Sequence, residues 1–308
     1  MGERTYSSSV LLHNWFEDIT LDQDVLKDFI NRKEHGELLI QKLGSYKGTL
    51  LNKTELAKSC DGYVHFGDAV LLINPGTVKN QGSSLHSLRA PMALTMNIDQ
   101  SRYMLSTQVD SPCEVSGSLD LSPCIRNTFI ITSIDGSCVG DPLRYGQSFA
   151  LRTTEGTAGQ LYLESEMRLL MKCAKGSGMQ LVTLTDHFSF LSSWQVLYLD
   201  PQMRLEYDGY PVPANVQVLI NHTRTNQALA ALQEYSFWTV FGREHEITTN
   251  TFLDSHRAEE DLNFWVIVTG DPGIPHGTMF QKPPLICEEP VAKSKQGPPP
   301  PDCFTDQP

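Results

Sequence analysis

Residues 263–271 read NFWVIVTGD, and two earlier stretches share this plan: NTFIITSID at 127–135 and SSWQVLYLD at 192–200. Each stretch places an aromatic residue third and an aspartate ninth, with apolar residues between them. Short apolar runs that end in a turn residue are typical of β-strands, and aspartate suits the turn that follows. The threefold occurrence predicts an internally repeated β structure.

Three further strand-like blocks precede this stretch in every repeat. The first block reads GDAVLLIN from Gly67, GQSFALRT from Gly146 and NVQVLINH from Asn215, each with apolar residues two positions apart. The second and third blocks follow in the same order, at 94–96 and 114–115, 161–163 and 180–181, and 229–231 and 246–247. Equivalent positions in the third block are 66 residues apart in both steps.

Four strand-like blocks that recur three times predict an all-β fold of the β-trefoil type. In that fold six strands close a barrel and three hairpins cap it, which leaves no exposed sheet edge. We expect three four-strand units near residues 62–138, 139–203 and 204–272, with long loops at 75–90 and 172–180. The predicted structural core takes one aromatic and one aliphatic residue from each unit: Phe129, Trp194, Trp265, Val115, Leu181 and Ile247.

The region before the repeats has a different character. Over 21–43 apolar residues recur at helical spacing. Thr20 and Gln23 fit a capping box, Gly36 suggests an interruption and Gly44 a C-terminal stop.

The region after the repeats holds nine of the 18 prolines and little apolar periodicity. Such a segment cannot build a core of its own and is expected to be extended. The sequence therefore predicts an N-terminal arm, a helical segment, the β-domain and a Pro-rich tail, at 1–20, 21–58, 60–272 and 273–308.

Composition argues against several classes of partner. The net charge of −12 and pI of about 5.2 disfavour nucleic acid and anionic membrane surfaces, which need clustered positive charge. No run of about 18 apolar residues predicts a membrane-spanning helix, and the first 20 residues do not resemble a signal peptide. The seven cysteines include no C-x-x-C pair, which favours reduced structural thiols over a zinc site.

One group of polar residues invites a metal-site interpretation. His245, Glu246, His256 and Glu259 lie close in sequence but do not form an H-E-x-x-H motif. The repeat places Glu246 at the start of a strand, so we expect a polar strand residue there and no metal ligand.

Two other stretches suggest catalytic motifs without completing them. Asp186 and His187 lack a serine in a G-x-S-x-G elbow, and His187 is expected to be a partly buried structural residue. Residues 175–178, KGSG, lack the remainder of a phosphate-binding loop and predict a flexible hairpin tip. We therefore expect no catalytic residues, no metal and no cofactor.

The third unit resembles a known module. NHTRTNQALAAL from Asn221 and FGREHEITTNTFLDSHRAEEDLNFWVIVTG from Phe241 resemble the MIR repeat. This repeat is the β-trefoil module of protein mannosyltransferases, inositol trisphosphate receptors and ryanodine receptors. The resemblance covers roughly residues 62–272 and implies a MIR-like β-trefoil.

The whole run of sequence resembles the cilia- and flagella-associated protein 161 family. The resemblance rests on the helical N-terminus, the three-unit β region and the Pro-rich tail. It implies a cytoskeletal protein of the axoneme in motile cilia and flagella, on the lumenal face of the A-tubule of doublet microtubules.

The resulting functional hypothesis is a non-enzymatic, structural microtubule inner protein that stabilises doublets for motility. Its expected partners are α/β-tubulin and neighbouring microtubule inner proteins, with no nucleic acid and no membrane. Trp15 and Phe16 lie outside the predicted core and either pack back onto the β-domain or anchor a partner, where buried aromatics carry much of the binding free energy. The alternative is a soluble ligand- or carbohydrate-binding, lectin-like β-trefoil with up to three equivalent pockets.

Overall fold

The computed structural model describes residues 12–77, 89–98, 108–169 and 172–281, with side chains from residue 17 to 280 of those ranges. This part of the chain is mostly β, with two longer helices at its N-terminal end. No helix in it is long and apolar enough to cross a bilayer.

The described elements follow the predicted order. The N-terminal helices are α1, Leu12–Glu34, and α2, Leu39–Leu50. One short helix, α3, spans Arg204–Tyr207. The strands are β1 Ala69–Asn74, β2 Met92–Asn97, β3 Cys113–Ser118, β4 Thr128–Ser133, β5 Ser148–Thr153, β6 Tyr162–Ser165, β7 Gln180–Thr185, β8 Trp194–Leu197, β9 Gln217–His222, β10 Gln227–Thr239, β11 Gly242–Thr249 and β12 Phe264–Val268. Every strand-like block of the sequence is a strand.

Six of these strands close a barrel. The first and fourth strands of each unit pair in the cyclic order β1–β4–β5–β8–β9–β12, and β12 returns to β1. All six pairings are antiparallel, and the ring has no free edge.

The second and third strands of each unit form hairpins at one end of the barrel. β3 pairs with β7, β7 with β11 and β11 with β3, so the hairpins β2–β3, β6–β7 and β10–β11 join into a cap. At the opposite end three buried residues donate backbone hydrogen bonds in a cycle: Val64 to Val212, Val212 to Leu143 and Leu143 to Val64, at 3.0, 2.8 and 2.8 Å. Both ends of the barrel are therefore closed by threefold arrangements.

The first residue of each repeat carries a second threefold feature. Gly67, Gly146 and Asn215 all have positive φ, at 93°, 75° and 62°. Their N–H groups donate to the carbonyls two residues beyond the three core aromatics, at 2.7, 2.9 and 2.9 Å. The chain thus needs a left-handed residue to enter each unit, which explains glycine or asparagine there.

The three aromatics lie at the centre of the core. Phe129, Trp194 and Trp265 are fully buried. Each indole N–H donates to a carbonyl in its own unit, Trp194 to Leu163 at 2.8 Å and Trp265 to Leu229 at 2.9 Å. The predicted turns are also present, because the aspartate six residues after each aromatic accepts the backbone N–H two residues further on, at 3.1, 2.9 and 2.8 Å.

The aliphatic members of the predicted core are less uniform. Val115 and Ile247 are buried, whereas Leu181 is only half-buried. On β7 it is Val182 and Leu184 that point into the core. The expectation for Leu181 was therefore wrong, because this side chain lies on the outward face of its strand.

The N-terminal helices differ from the prediction in their bounds. Helix α1 begins at Leu12, so Thr20 is an interior residue whose hydroxyl donates to the Glu17 carbonyl at 2.9 Å and does not cap the helix. The interruption at Gly36 is present, with φ of 72°. Helix α2 continues through Gly44, so the predicted stop there was wrong.

The incoming and outgoing ends of the barrel meet. Ala57 donates its N–H to the Ala69 carbonyl at 2.8 Å and accepts the N–H of Gly270 at 2.9 Å. The predicted tail begins with a turn that folds back, so that Phe280 packs against the cluster around Leu56. Residues 282–308 of the tail and 78–88 of the predicted loop at 75–90 lie outside the described residues.

Candidate interaction surface

A cavity of about 980 Å³ lies on the hairpin cap. Val115, Leu181 and Ile247, one from each of β3, β7 and β11, line it. These residues occupy equivalent positions of the three cap hairpins, so the cavity lies where the three hairpins join.

One wall of the cavity breaks the threefold arrangement. β10 has 13 residues, compared with 6 in β2 and 4 in β6. A bulge between Leu232 and Ser236 shifts its register against β11, and the strand then extends to Thr239. We call residues 234–240 the β10 extension. All seven of its residues line the cavity, and Trp238 is 82% exposed.

A short loop at 174–178 contributes another wall. Its backbone is held by Glu246, whose carboxylate accepts the N–H of Gly176 at 2.7 Å and of Ser177 at 3.1 Å. Glu246 lies on a strand, as predicted, but in the middle of β11 and not at its start. Its burial and its function as an anchor for this loop were not predicted. The KGSG stretch is a turn that is fastened at two amides.

The other residues considered as metal ligands in the sequence contact different protein groups in the structure. The ring of His245 contacts the Gln233 carbonyl at 2.9 Å and so supports the bulge. Glu259 forms a 2.6 Å salt bridge with Arg204. Within the described ranges no three histidine, cysteine or acidic side chains are grouped to hold a metal ion.

The cavity is lined by more negative than positive charge. Of the described residues, four carboxylates, Asp110, Glu114, Glu234 and Glu246, line it together with one cation, Lys175, which pairs with Glu114 at 2.7 Å. Asp110 and Glu234 form no salt bridge with any described residue. The rim can therefore attract cationic groups.

A buried polar network fixes the base of the β10–β11 hairpin. Arg126 and Glu244 form a salt bridge of 2.5 Å, with 4% and 3% of their side chains exposed. Arg126 also donates to the Met96 carbonyl at 2.7 Å, and Ser116 donates to Glu244 at 2.7 Å. The guanidinium lies 3.8 Å from the ring centre of Phe241 in the hairpin turn.

Helix α2 clamps the same hairpin from outside. Lys47 donates to the Val240 carbonyl at 2.9 Å and lies 5.6 Å from the Phe241 ring centre. Tyr46 lines the cavity, and burial, with smaller contributions from Cys113 and Asp110, raises the pKa of its phenol. The hydroxyl stays protonated at neutral pH.

Helix α1 presents the second candidate surface. Leu21, Val25, Leu26, Phe29 and Ile30 follow helical spacing on one side of α1, and each is between 44% and 61% exposed. We call these five residues the α1 stripe. An amphipathic helix ordinarily buries such a stripe, and contiguous exposed apolar surface is characteristic of binding sites.

The candidate partner anchors and His187 were also singled out in the sequence. Trp15 and Phe16 fall in the first turns of α1, and their side chains lie outside the described residues. His187 was expected to be partly buried but its side chain is 90% exposed, with Asp186 at 3.7 Å, because it stands on a turn after β7. That expectation was wrong.

Comparisons with known proteins agree with the resemblance inferred from sequence. Residues 42–270 match a family model described as the cilia- and flagella-associated protein 161-like domain. A relative of that name from Danio rerio is 45% identical over 284 residues, which cover 90% of this chain and 92% of the relative. One from Bos taurus is 40% identical over 290 residues, covering 94% and 90%. The solved SDF2-like protein from Arabidopsis thaliana aligns at 14% identity over 67% of this chain and 94% of its own, with a TM-score of 0.45.

Proposed function

The chain belongs to the cilia- and flagella-associated protein 161 family, and from this premise we propose that it is a structural, non-enzymatic protein of cilia and flagella. The family match over residues 42–270 carries the proposal. In its finer form, the protein is a microtubule inner protein that contacts α/β-tubulin and neighbouring inner proteins on the lumenal face of the A-tubule. It would thereby stabilise axonemal doublet microtubules.

The strand pairing supports a β-trefoil as the rigid part of this protein. Six strands in a closed ring and three cap hairpins, in one order per unit, are the features that define such a fold. We propose the unit boundaries 62–138, 139–203 and 204–272 on this basis. A closed barrel has no free strand edge in its ring at which another chain could pair. Contacts with other proteins would therefore be made by the cap, the arms and the loops.

The α1 stripe supports attachment to a larger assembly. Five exposed apolar side chains on one helix offer an area that water solvates poorly and that a partner groove would cover. Contacts from α1, the cap and the tail to one lattice would add through effective concentration, so no single tight site is needed.

The proposal is tested by fractionation of demembranated motile cilia that carry the tagged full-length chain. A lumenal protein should resist high salt and leave only when the doublets are broken. Release at moderate salt would contradict the lumenal position.

A charge substitution in the stripe tests the attachment itself. The double variant Val25→Glu/Phe29→Glu should be lost from the doublets, because it places two carboxylates in the apolar surface. Asn31→Glu, on the opposite side of α1, is the matched control and should remain bound. Unchanged thermal unfolding of both variants would show that only binding is affected, and equal retention of both would refute a role for the stripe.

The lectin-like alternative predicted up to three equivalent pockets. The cap cavity is instead one space that residues of all three cap hairpins line, and the long β10–β11 hairpin forms one of its walls. This geometry gives no support to three repeated sugar sites.

A further inference from the structure

We propose that the outer edge of the β10 extension binds an extended, basic segment of a partner protein, which joins the cap as an additional strand. This peptide-binding activity goes beyond the bracing role proposed above. Its experiments use the purified chain, so their failure would leave that role standing.

The edge has no partner strand in the described part of the chain. β10 pairs with β9 only at Gln227 and Ala228, and beyond the bulge it pairs only with β11. In an antiparallel ladder alternate residues direct their N–H and C=O groups to opposite sides. Every second residue of the stretch Ser236–Thr239, which pairs with β11 beyond the bulge, therefore offers both groups away from β11, which is the arrangement that recruits an added strand.

The edge is also accessible from the cavity. A strand viewed from one face shows every second residue, because successive side chains point to opposite faces. The seven residues from Glu234 to Val240 line the cavity consecutively, so the cavity meets the edge of the strand and not only one face. Trp238 projects from this edge region into solvent.

The charge of the rim selects the chemistry of the added segment. Asp110 and Glu234 lack a salt bridge within the described residues, whereas Lys175 already pairs with Glu114. Lysine and arginine side chains of a partner would meet these two carboxylates and the face of Trp238. Acidic segments would be repelled.

The edge is rigid before binding. Arg126 with Glu244 holds the base of the hairpin, and Lys47 of α2 holds its turn through the Val240 carbonyl. A strand edge that is already ordered loses little conformational entropy when a peptide joins it.

The direct test uses a short blocked peptide of alternating lysine and valine, titrated into the full-length chain by calorimetry. We expect saturable binding, and about tenfold weaker binding for the matched glutamate–valine peptide. Absence of saturable lysine–valine binding up to about 1 mM, or equal affinity for both peptides, would overturn the proposal.

Methylated peptides distinguish strand addition from charge attraction alone. Methyl groups on alternate amide nitrogens remove the donors on one edge of the peptide and leave its charge unchanged. One of the two alternating sets should abolish binding and the other should preserve it. If the chain tolerates both sets, no added strand forms and the proposal fails.

Two variants locate the site. Trp238→Ala should weaken binding about tenfold without a change in folding, because the side chain is exposed. Phe190→Ala removes another exposed aromatic, which does not line the cavity, and should bind normally. Equal effects of the two variants would place the peptide elsewhere.

The source of the occupant is tested by a photo-reactive phenylalanine analogue in place of Phe237, which lines the cavity and leaves Trp238 intact, with cross-links read by mass spectrometry. Cross-links to the added peptide support the proposal. Cross-links only to residues 282–308 of the same chain, or only to a second copy, would show that the edge is already occupied and would overturn binding of a partner in trans.

Discussion

Replacement of Glu244 by glutamine should destabilise the protein strongly, because it leaves the Arg126 guanidinium buried without a counter-charge. The side chain of Arg126 is 4% exposed, so water cannot take over the lost partner. Breaking a buried pair of this kind costs about 3–5 kcal/mol, a large share of the roughly 5–15 kcal/mol that holds a domain folded. The remaining contacts of Arg126, to the Met96 carbonyl, the Ser116 hydroxyl and the Phe241 ring, carry no negative charge.

Urea unfolding followed by tryptophan fluorescence measures the effect, as a lower midpoint at an unchanged slope. The matched control is Glu166→Gln, which breaks a 2.7 Å pair with Lys172 on the surface and should leave the midpoint where it is. The double variant Arg126→Leu/Glu244→Leu should recover most of the loss, because apolar pairs often replace buried ion pairs at little cost. A midpoint for Glu244→Gln within error of the parent would refute the reasoning.

Three further predictions concern the barrel. Trp265→Ala should lower the free energy of unfolding in urea by about 3–5 kcal/mol, because it leaves a cavity in the core. Trp265→Phe should lower it clearly less, because it loses mainly the indole hydrogen bond. Equal losses would show that the residue is not tightly packed. Burial lowers the pKa of His222 from 6.5, so as the pH falls below about 6.5 the unfolded chain binds the proton first and the stability of the fold should decline. His222→Gln should flatten this part of the pH–stability curve. An unchanged curve would show that His222 does not cause the decline. Gly76→Ala should destabilise by more than the about 1–2 kcal/mol expected for a left-handed alanine, because its Cβ would lie 2.2 Å from the Arg89 backbone carbonyl oxygen, whereas Gly178→Ala meets no atom within 4 Å and isolates the backbone strain. Equal losses in thermal unfolding of the two variants would refute the steric contribution.

The barrel strands were predictable because their signal is local and triplicated. One aromatic and one aspartate at fixed spacing mark the last strand of each unit, and in the structure the aromatics are buried and the aspartates close turns. Residues at equivalent positions need not share an environment, however. Leu181 follows the 66-residue spacing but points outward, because β7 offers Val182 and Leu184 to the core instead.

The candidate surfaces were harder to predict. The cavity depends on the length of the β10 extension, and a bulge that creates such an extension leaves no periodic signal in sequence. Another wall of the cavity, the loop at 174–178, is held by hydrogen bonds from the amides of Gly176 and Ser177 to Glu246, and these join residues about 70 positions apart. Helical spacing identified the α1 stripe, but whether a stripe faces a core or solvent depends on tertiary packing, which spacing does not encode.

The hydrogen bond between Ala57 and Gly270 has a mechanical consequence. Because the polypeptide enters and leaves the barrel at adjoining points, tension between an anchored N-terminal helix and an anchored C-terminal tail would act across only a few ångströms of the domain. Such a load would tend to peel β1 from β12 one bond at a time, while the rest of the ring carried little force. The load would thus be absorbed at one seam, and single-molecule pulling from the two termini should show an early, low-force opening there.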